Sequence, residues 1–271
     1  MERKQHTMLV AAHRGDKAHQ PENTMESFMA AEKLCVDQIE TDMHLTRDGE
    51  IVLIHDHKLD RTTDGTGFVW NYTLKELKAL DAGIKAGAAF KGQKIPLLSE
   101  MLAYFKDRPG LTFNLEFKDY PDPEDPDRYK RSADKILQIL DDYGMADRCY
   151  FNSFSHEVLE YLYARAGKKC PYHGFYPFGI MGLWGTEPDY LDVACIFNEK
   201  EENGKMVPMP GRPLDRTLYD NLRARGIDPW VGADFVEEKD ILAAAELGAC
   251  LITSNDPATA LAILKKGGYH D

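Results

Sequence analysis

Glu40 and Asp42 stand two residues apart in the run IETDMHLTRDGEIVLIHD, and Glu116 closes a second apolar run, LTFNLEF. Residues two apart in a strand share a face, so Glu40 and Asp42 project together. Turned into a protein interior, the two charges would repel and raise each other's pKa unless a cation lay between them. Oxygen-only ligation of that kind suits a hard divalent ion, Mg²⁺ or Ca²⁺. Glu116, in a neighbouring strand, offers a third carboxylate, with Lys118 on its face. On an exposed strand the same acidic pair would simply be solvated, the commoner fate of such residues.

His13 ends the apolar run MLVAAH, and His55 follows EIVLI. Histidine titrates near neutrality, so two of them flanking a cation can exchange protons with an incoming and a departing oxygen. Arg14, beside His13, offers a fork for phosphate oxygens. His44 lies two residues past Asp42 and can share its face. His6, His19, His57, His156, His173 and His270 read as structural or solvated.

The elements that must position these groups alternate along the chain. Short β-rich runs cover 7–12, 38–43, 111–117, 148–153, 172–176, 193–197, 229–233 and 249–253. Amphipathic runs between them cover 24–34, 128–143, 156–166, 214–225, 236–247 and 257–264. Eight such strands with interposed helices predict an α/β fold, a (β/α)8 TIM barrel. A doubly wound open sheet is the alternative, but the chain has no Gly-rich dinucleotide or P-loop fingerprint. The connection from Met43 to Leu111 is far longer than a strand-to-helix loop needs. It holds a hairpin arm (50–54), a DGTG turn (64–67) and a helical stretch (73–80). It reads as an elaborated loop after the second strand of a single domain spanning residues 1–271.

The chain has 271 residues, 43% hydrophobic, with a formal net charge of −12. Length and composition suit one large globular domain. The acidic balance disfavours nucleic acid and anionic membrane surfaces as partners. The five cysteines are scattered without CxxC spacing. Free thiols in a reducing compartment follow, and a zinc site does not. The apolar run before His13 is too short for a signal-peptide core, and no stretch approaches a membrane span or anchor. The sequence therefore reads as cytoplasmic.

Longer linked motifs make the chain resemble a known family. HRG…PENT…SF, then IETDMHLTRDGEIVLIHD…LDRTTDGTG, is similar to the glycerophosphodiester phosphodiesterases. YTLKELKALDAG, KIPLLSEML, NLEFK, FNSFSHEVL and GACLITSNDPATAL agree with it. The resemblance implies a (β/α)8 barrel and metal-dependent cleavage of a small glycerophosphodiester to glycerol 3-phosphate and an alcohol. It places the metal-binding carboxylates on Glu40, Asp42 and Glu116 and the acid/base histidines on His13 and His55. It puts Arg14 and Lys118 on the phosphate and Trp230 beside the substrate. It also implies a cyclic 1,2-phosphate intermediate.

Two stretches depart from the family. PWVGADF replaces the usual continuation after Trp230. The aromatic, Gly-rich run at 172–188 suggests either an apolar lid over the site or a loop packed into the core or against another subunit. The rival readings are a phospholipase D-like enzyme cleaving lysophospholipids on the same barrel, and a non-catalytic phosphodiester-binding barrel. A metal-dependent sugar isomerase is weaker, because its ligands would come from strands all round the barrel.

Overall fold

The computed structural model describes residues 6–185 and 188–271. In chain order the strands are β1 (Leu9–His13), β2 (Gln38–Leu45), β3 (Ile51–Leu53), β4 (Thr112–Phe117), β5 (Cys149–Asn152), β6 (Tyr172–Tyr176), β7 (Val193–Ile196), β8 (Asn198–Glu202), β9 (Lys205–Met209), β10 (Asp228–Val231) and β11 (Leu251–Ser254). The helices are α1 (Met25–Lys33), α2 (Leu74–Ala79), α3 (Leu98–Phe105), α4 (Arg128–Tyr143), α5 (His156–Ala166), α6 (Arg216–Ala224), α7 (Glu238–Leu247) and α8 (Pro257–Gly267).

Eight strands run parallel in the order β1-β2-β4-β5-β6-β7-β10-β11, and β1 pairs with both β2 and β11, which closes the barrel. The open-sheet alternative is excluded. Each barrel strand is only four to eight residues long and largely buried, as in a covered parallel sheet, with buried polar residues interrupting the apolar ones in β2 and β4. Ala11, Val193, Trp230 and Leu251 cluster together as a core of their own. A larger core, with Phe28, Leu102, Phe113, Ile136 and Leu264, fills the layer under the helices.

The long connection after β2 is an ordered arm. Its β3 pairs antiparallel with the last residues of β2, Met43 opposite Leu53. This pairing carries β2 two residues beyond the run read from sequence. Val52, Ile54, Leu59, Val69, Leu77 and Ile95 give the arm a small apolar core of its own. Thr73 caps α2 with a reciprocal Thr73–Glu76 box. The arm ends in α3, a barrel helix that the sequence reading passed over.

Among the described residues no α-helix joins β6 to β7. Phe178, Met181 and Leu183 are buried there instead, while Trp184 is 45% exposed. The apolar run after β6 therefore substitutes for a missing barrel helix. Of the lid expectation at 172–188, the described residues show the core-packed alternative, and Thr186 and Glu187 lie outside them. A protruding ribbon, β8 paired with β9, follows β7. No helix among the described residues is long and apolar enough to cross a membrane.

Candidate active site

The register of the barrel assembles the acidic residues. β2 pairs with β4 so that Asp42 is opposite Glu116, and with β1 so that Glu40 is opposite His13. Oxygens of Glu40, Asp42 and Glu116 lie within 4.8 Å of one another, and all three residues are buried. Lys118 is drawn into the same group: its ammonium pairs with Glu116 and lies 3.3 Å from Asp42 Oδ1.

The turn after β1 delivers the next groups. Arg14 (φ 60°) and Gly15 (φ 80°) both take the left-handed conformation, which is strained for arginine. It sends the Arg14 N–H to Glu40 Oε2 at 3.0 Å and its Nη1 to Glu22 Oε1 at 2.9 Å. Arg14 Nε stands 3.3 Å from Asp42 Oδ2, an ion pair without hydrogen-bond geometry. Gly15 is required here, because a Cβ would come within 2.2 Å of Ser27 Oγ and 2.7 Å of the Ser27 main-chain carbon. Asn23 also sits at positive φ, a place asparagine tolerates. Its Nδ2 donates to Asp42 Oδ2 at 2.8 Å while its Oδ1 accepts from Thr41 at 2.7 Å.

Each histidine is held through Nδ1. His13 Nδ1 meets Asn255 Oδ1 at 2.6 Å. The Asn255 amide nitrogen donates to the Ala233 carbonyl at 3.1 Å, which leaves Oδ1 as the acceptor and puts the His13 proton on Nδ1. Its Nε2 then lies 3.8 Å from Glu40 Oε2. His55 Nδ1 meets Asp56 Oδ1 at 2.6 Å. Arg61 fastens that carboxylate by Nε at 2.7 Å and reaches Glu22 by two further bonds at 2.8 Å. One guanidinium thus ties the His55 support to the Arg14 support.

Electrostatics follow from burial against these partners. Burial, with Asp42 and Glu116 as neighbours, pushes the Glu40 carboxyl well above the usual range. Burial also raises Glu116, against the pull of Lys118. Asp42 is equally buried, but Lys118 and Arg14 overcome that cost and hold it at about 2. His13 is driven down to about 3, first by burial and then by Arg14 and Lys17. Burial lowers His55 as well, against the opposing pull of Asp42 and Asp56.

The donor set fits a hard divalent cation. Glu40 Oε1 and Asp42 Oδ1 are buried without a hydrogen-bond partner, only the Lys118 ammonium facing the latter. Three buried carboxylates against two cations leave uncompensated negative charge of the kind a metal ion neutralises.

These groups line one cavity of about 240 Å³ at the carboxyl ends of the strands, where barrel enzymes carry their chemistry. His13, Arg14, Glu40, His55, Glu116 and Lys118 all reach it, opposite an apolar wall of Phe154, Phe175 and Phe197. Asp42 has no exposed surface and packs against Glu40, Glu116, Lys118 and Arg14. Trp230 is a second sequence-derived candidate that does not line the cavity. It is 3% exposed, its ring 4.7 Å from that of His173 and 5.2 Å from that of Tyr150. A bulky ring among Ala11, Val193 and Leu251 fills the barrel interior. His44 turns away to Asp119 and the His55 carbonyl, both at 3.3 Å. His173, read as structural, lines the cavity with its Nε2 unpartnered.

The sequence reading missed Asn23, Asp56, Arg61 and Asn255. Asn255 carried a positional signal, since it directly follows the last barrel strand; Arg61 lies five residues from Asp56, but nothing in the spacing pointed to Glu22, 39 positions away.

An array of two histidines, two cations and clustered carboxylates suited to a metal ion has the groups to bind a phosphodiester and exchange protons beside it. Residues 13–175 match the glycerophosphoryl diester phosphodiesterase family. A glycerophosphodiester phosphodiesterase of Caldanaerobacter subterraneus subsp. tengcongensis is 34% identical over 267 residues, covering 96% of this chain and 99% of that protein. One of Bacillus subtilis is 36% identical over 166 residues, covering 56% of this chain and 54% of its own. The fold is shared with the Agrobacterium tumefaciens glycerophosphodiester phosphodiesterase (TM-score 0.74, 23% identity, covering 94% and 99% of the two chains). It is shared also with an Oleispira antarctica phosphodiesterase solved with its product sn-glycerol-3-phosphate (TM-score 0.75, 21% identity, covering 96% and 97%). The chain belongs to the glycerophosphoryl diester phosphodiesterase family and is a phosphoric diester hydrolase.

Proposed function

We propose that the chain converts a glycerophosphodiester to glycerol 3-phosphate and an alcohol, with Glu40, Asp42 and Glu116 holding Mg²⁺ or Ca²⁺ and His13 and His55 moving the protons. The observation that carries this reading is the shared cavity: Glu40, Glu116 and two histidines, each held by Nδ1, line it, and Asp42 is clustered with the two glutamates. Such an ion supplies positive charge for the phosphate oxygens and acidifies a hydroxyl drawn beside them.

Arg14 and Lys118 line the cavity as fixed cations, suited to the charge that develops on the phosphoryl oxygens. The glycerol 2-hydroxyl attacks phosphorus within the same molecule, which gives it a high effective concentration. The bond to the alcohol breaks, and a cyclic 1,2-phosphate remains. His13 is backed by a neutral amide and stays unprotonated, so it takes the hydroxyl proton. His55 is backed by the Asp56 carboxylate, which favours its charged form, so it protonates the leaving alcohol. Water then opens the ring with the two roles exchanged.

The test is release of glycerol 3-phosphate from glycerophosphocholine, glycerophosphoethanolamine and glycerophosphoglycerol, with a trapped cyclic phosphate as the sign of the two-step route. Release of choline from lysophosphatidylcholine, leaving lysophosphatidate, at a higher rate would move the assignment to the lipid-cleaving reading.

A further inference from the structure

The turn after β1 carries a cation that this reaction leaves unused. Lys17 is half-buried, yet among the described residues its ammonium has neither a hydrogen-bond nor an ion-pair partner. An unpaired buried ammonium is costly. Burial and the nearby Arg14 charge depress its pKa, and its own charge is felt at His13.

Lys17 borders a second pocket of about 210 Å³, walled also by Gln20, Glu22, Arg61, Thr62 and Lys85. Glu22 is the one carboxylate among those residues, and both its oxygens are taken. Oε1 receives Arg14 at 2.9 Å and Arg61 at 2.8 Å, while Oε2 receives the other Arg61 bond at 2.8 Å. Lys85 is exposed and likewise unpartnered among the described residues. Arg61 is itself taken up by Glu22 and Asp56, so the pocket presents two uncommitted cations, Lys17 and Lys85, in a chain whose net charge is −12. Such a local reversal of sign favours an anionic ligand.

The two pockets share a wall. Arg14 lines the catalytic cavity, Glu22 lines the second pocket, and the pair are in direct contact. The second pocket is therefore adjacent to the catalytic cavity, one residue pair away.

We propose that this second pocket is an anion subsite for the leaving alcohol, so that the enzyme takes diesters whose alcohol bears a phosphate monoester, met by Lys17 and Lys85. The proposal rests on the hydrolytic reading above and adds a substrate class to it.

The test compares glycerophosphoglycerol with the same diester phosphorylated on its leaving glycerol. At low ionic strength kcat/KM is about tenfold higher for the phosphorylated diester, the effect of one extra charge pair near a protein surface. The preference shrinks as salt is added. In Lys17→Gln/Lys85→Gln the ratio falls to within about twofold of unity, through a higher KM for the phosphorylated diester. Lys85→Gln alone, at an exposed position, gives part of the loss and serves if the double variant fails to fold. Hydrolysis of both diesters with no preference in the wild type, or a preference that survives the double substitution, overturns the subsite alone. Hydrolysis of neither overturns the reaction assignment and the subsite with it.

Discussion

Asp42 and Glu116 face each other across the pairing of β2 with β4, and Glu40 lies two residues before Asp42 on the same side. Lys118 and Arg14 offset only part of the repulsion in this cluster, and a divalent cation would offset more. Glu40→Gln removes one of the mutually repelling charges and keeps the side-chain shape. In EDTA the variant melts at a temperature equal to or above that of the wild type. Mg²⁺ or Ca²⁺ raises the wild-type melting temperature, as ligation to the folded state must, and does so much less for the variant. Thermal scans with and without metal check this independently of activity.

Arg61 joins Glu22 to Asp56. Arg61→Ala frees the carboxylate that holds His55, and kcat falls by about tenfold or more, within the range for general acid–base support. Stability changes with pH in a defined direction. Burial works to raise the Glu22 carboxyl, but Arg61 and Arg14 bring it from 4.5 down to about 2. Its folded value thus lies below its unfolded one, so the stabilisation is fully present above about pH 4.5. It is lost as pH falls toward 2. The wild type and Arg61→Ala should therefore differ in urea-unfolding free energy at pH 6 and converge as the acid limit is approached.

Gly15 combines a φ of 80° with a backbone contact against Ser27. Gly15→Ala adds both conformational strain and a clash that no side-chain rotation relieves. A loss of about 2 kcal/mol or more in unfolding free energy is expected. Activity falls with it, because the same turn aims Arg14. Denaturant melts and kinetics on the purified variant measure the two effects separately.

Asn255 fixes the ring of His13 and its tautomer. Asn255→Ala leaves that ring free to turn, lowering kcat by about 10- to 100-fold while the metal-induced rise in melting temperature is kept. Loss of the metal response as well would mean that Asn255 supports the whole rim and not the histidine alone.

Much of this was legible in the sequence, for particular reasons. The eight barrel strands were visible as short β-rich runs, apolar in most and alternating apolar with polar in β2 and β4. The α4 run was read to the residue, since its amphipathic pattern is long and ends at Gly144 in the left-handed conformation. The ribbon β8–β9 was not read. Its strands, NEKEE and KMVPM, are largely exposed on both faces and so lack an alternating pattern. Its one signal was Asn203-Gly204, both at positive φ, the pair that suits a two-residue hairpin turn. Helix α3 was missed because it is only eight residues long and follows a turn-rich stretch.

At the site, strand periodicity alone put Glu40 and Asp42 on one face. The resemblance placed His13 and His55 among the acid/base groups, and the structure brings both to the cavity. What linear spacing could not give was the second layer. Arg61 meets Glu22 across 39 positions and Asn255 meets His13 across 242. Trp230 was drawn to the substrate by likeness to relatives, whereas its place in this barrel is among core side chains.

The most direct measurement is glycerol 3-phosphate release by the wild type, His13→Ala and His55→Ala, each with EDTA, Mg²⁺ or Ca²⁺. The account predicts release by the wild type only with a divalent ion, and a loss of at least about a hundredfold in either histidine variant. Undiminished release in EDTA, or near wild-type rates after removal of either histidine, would contradict it.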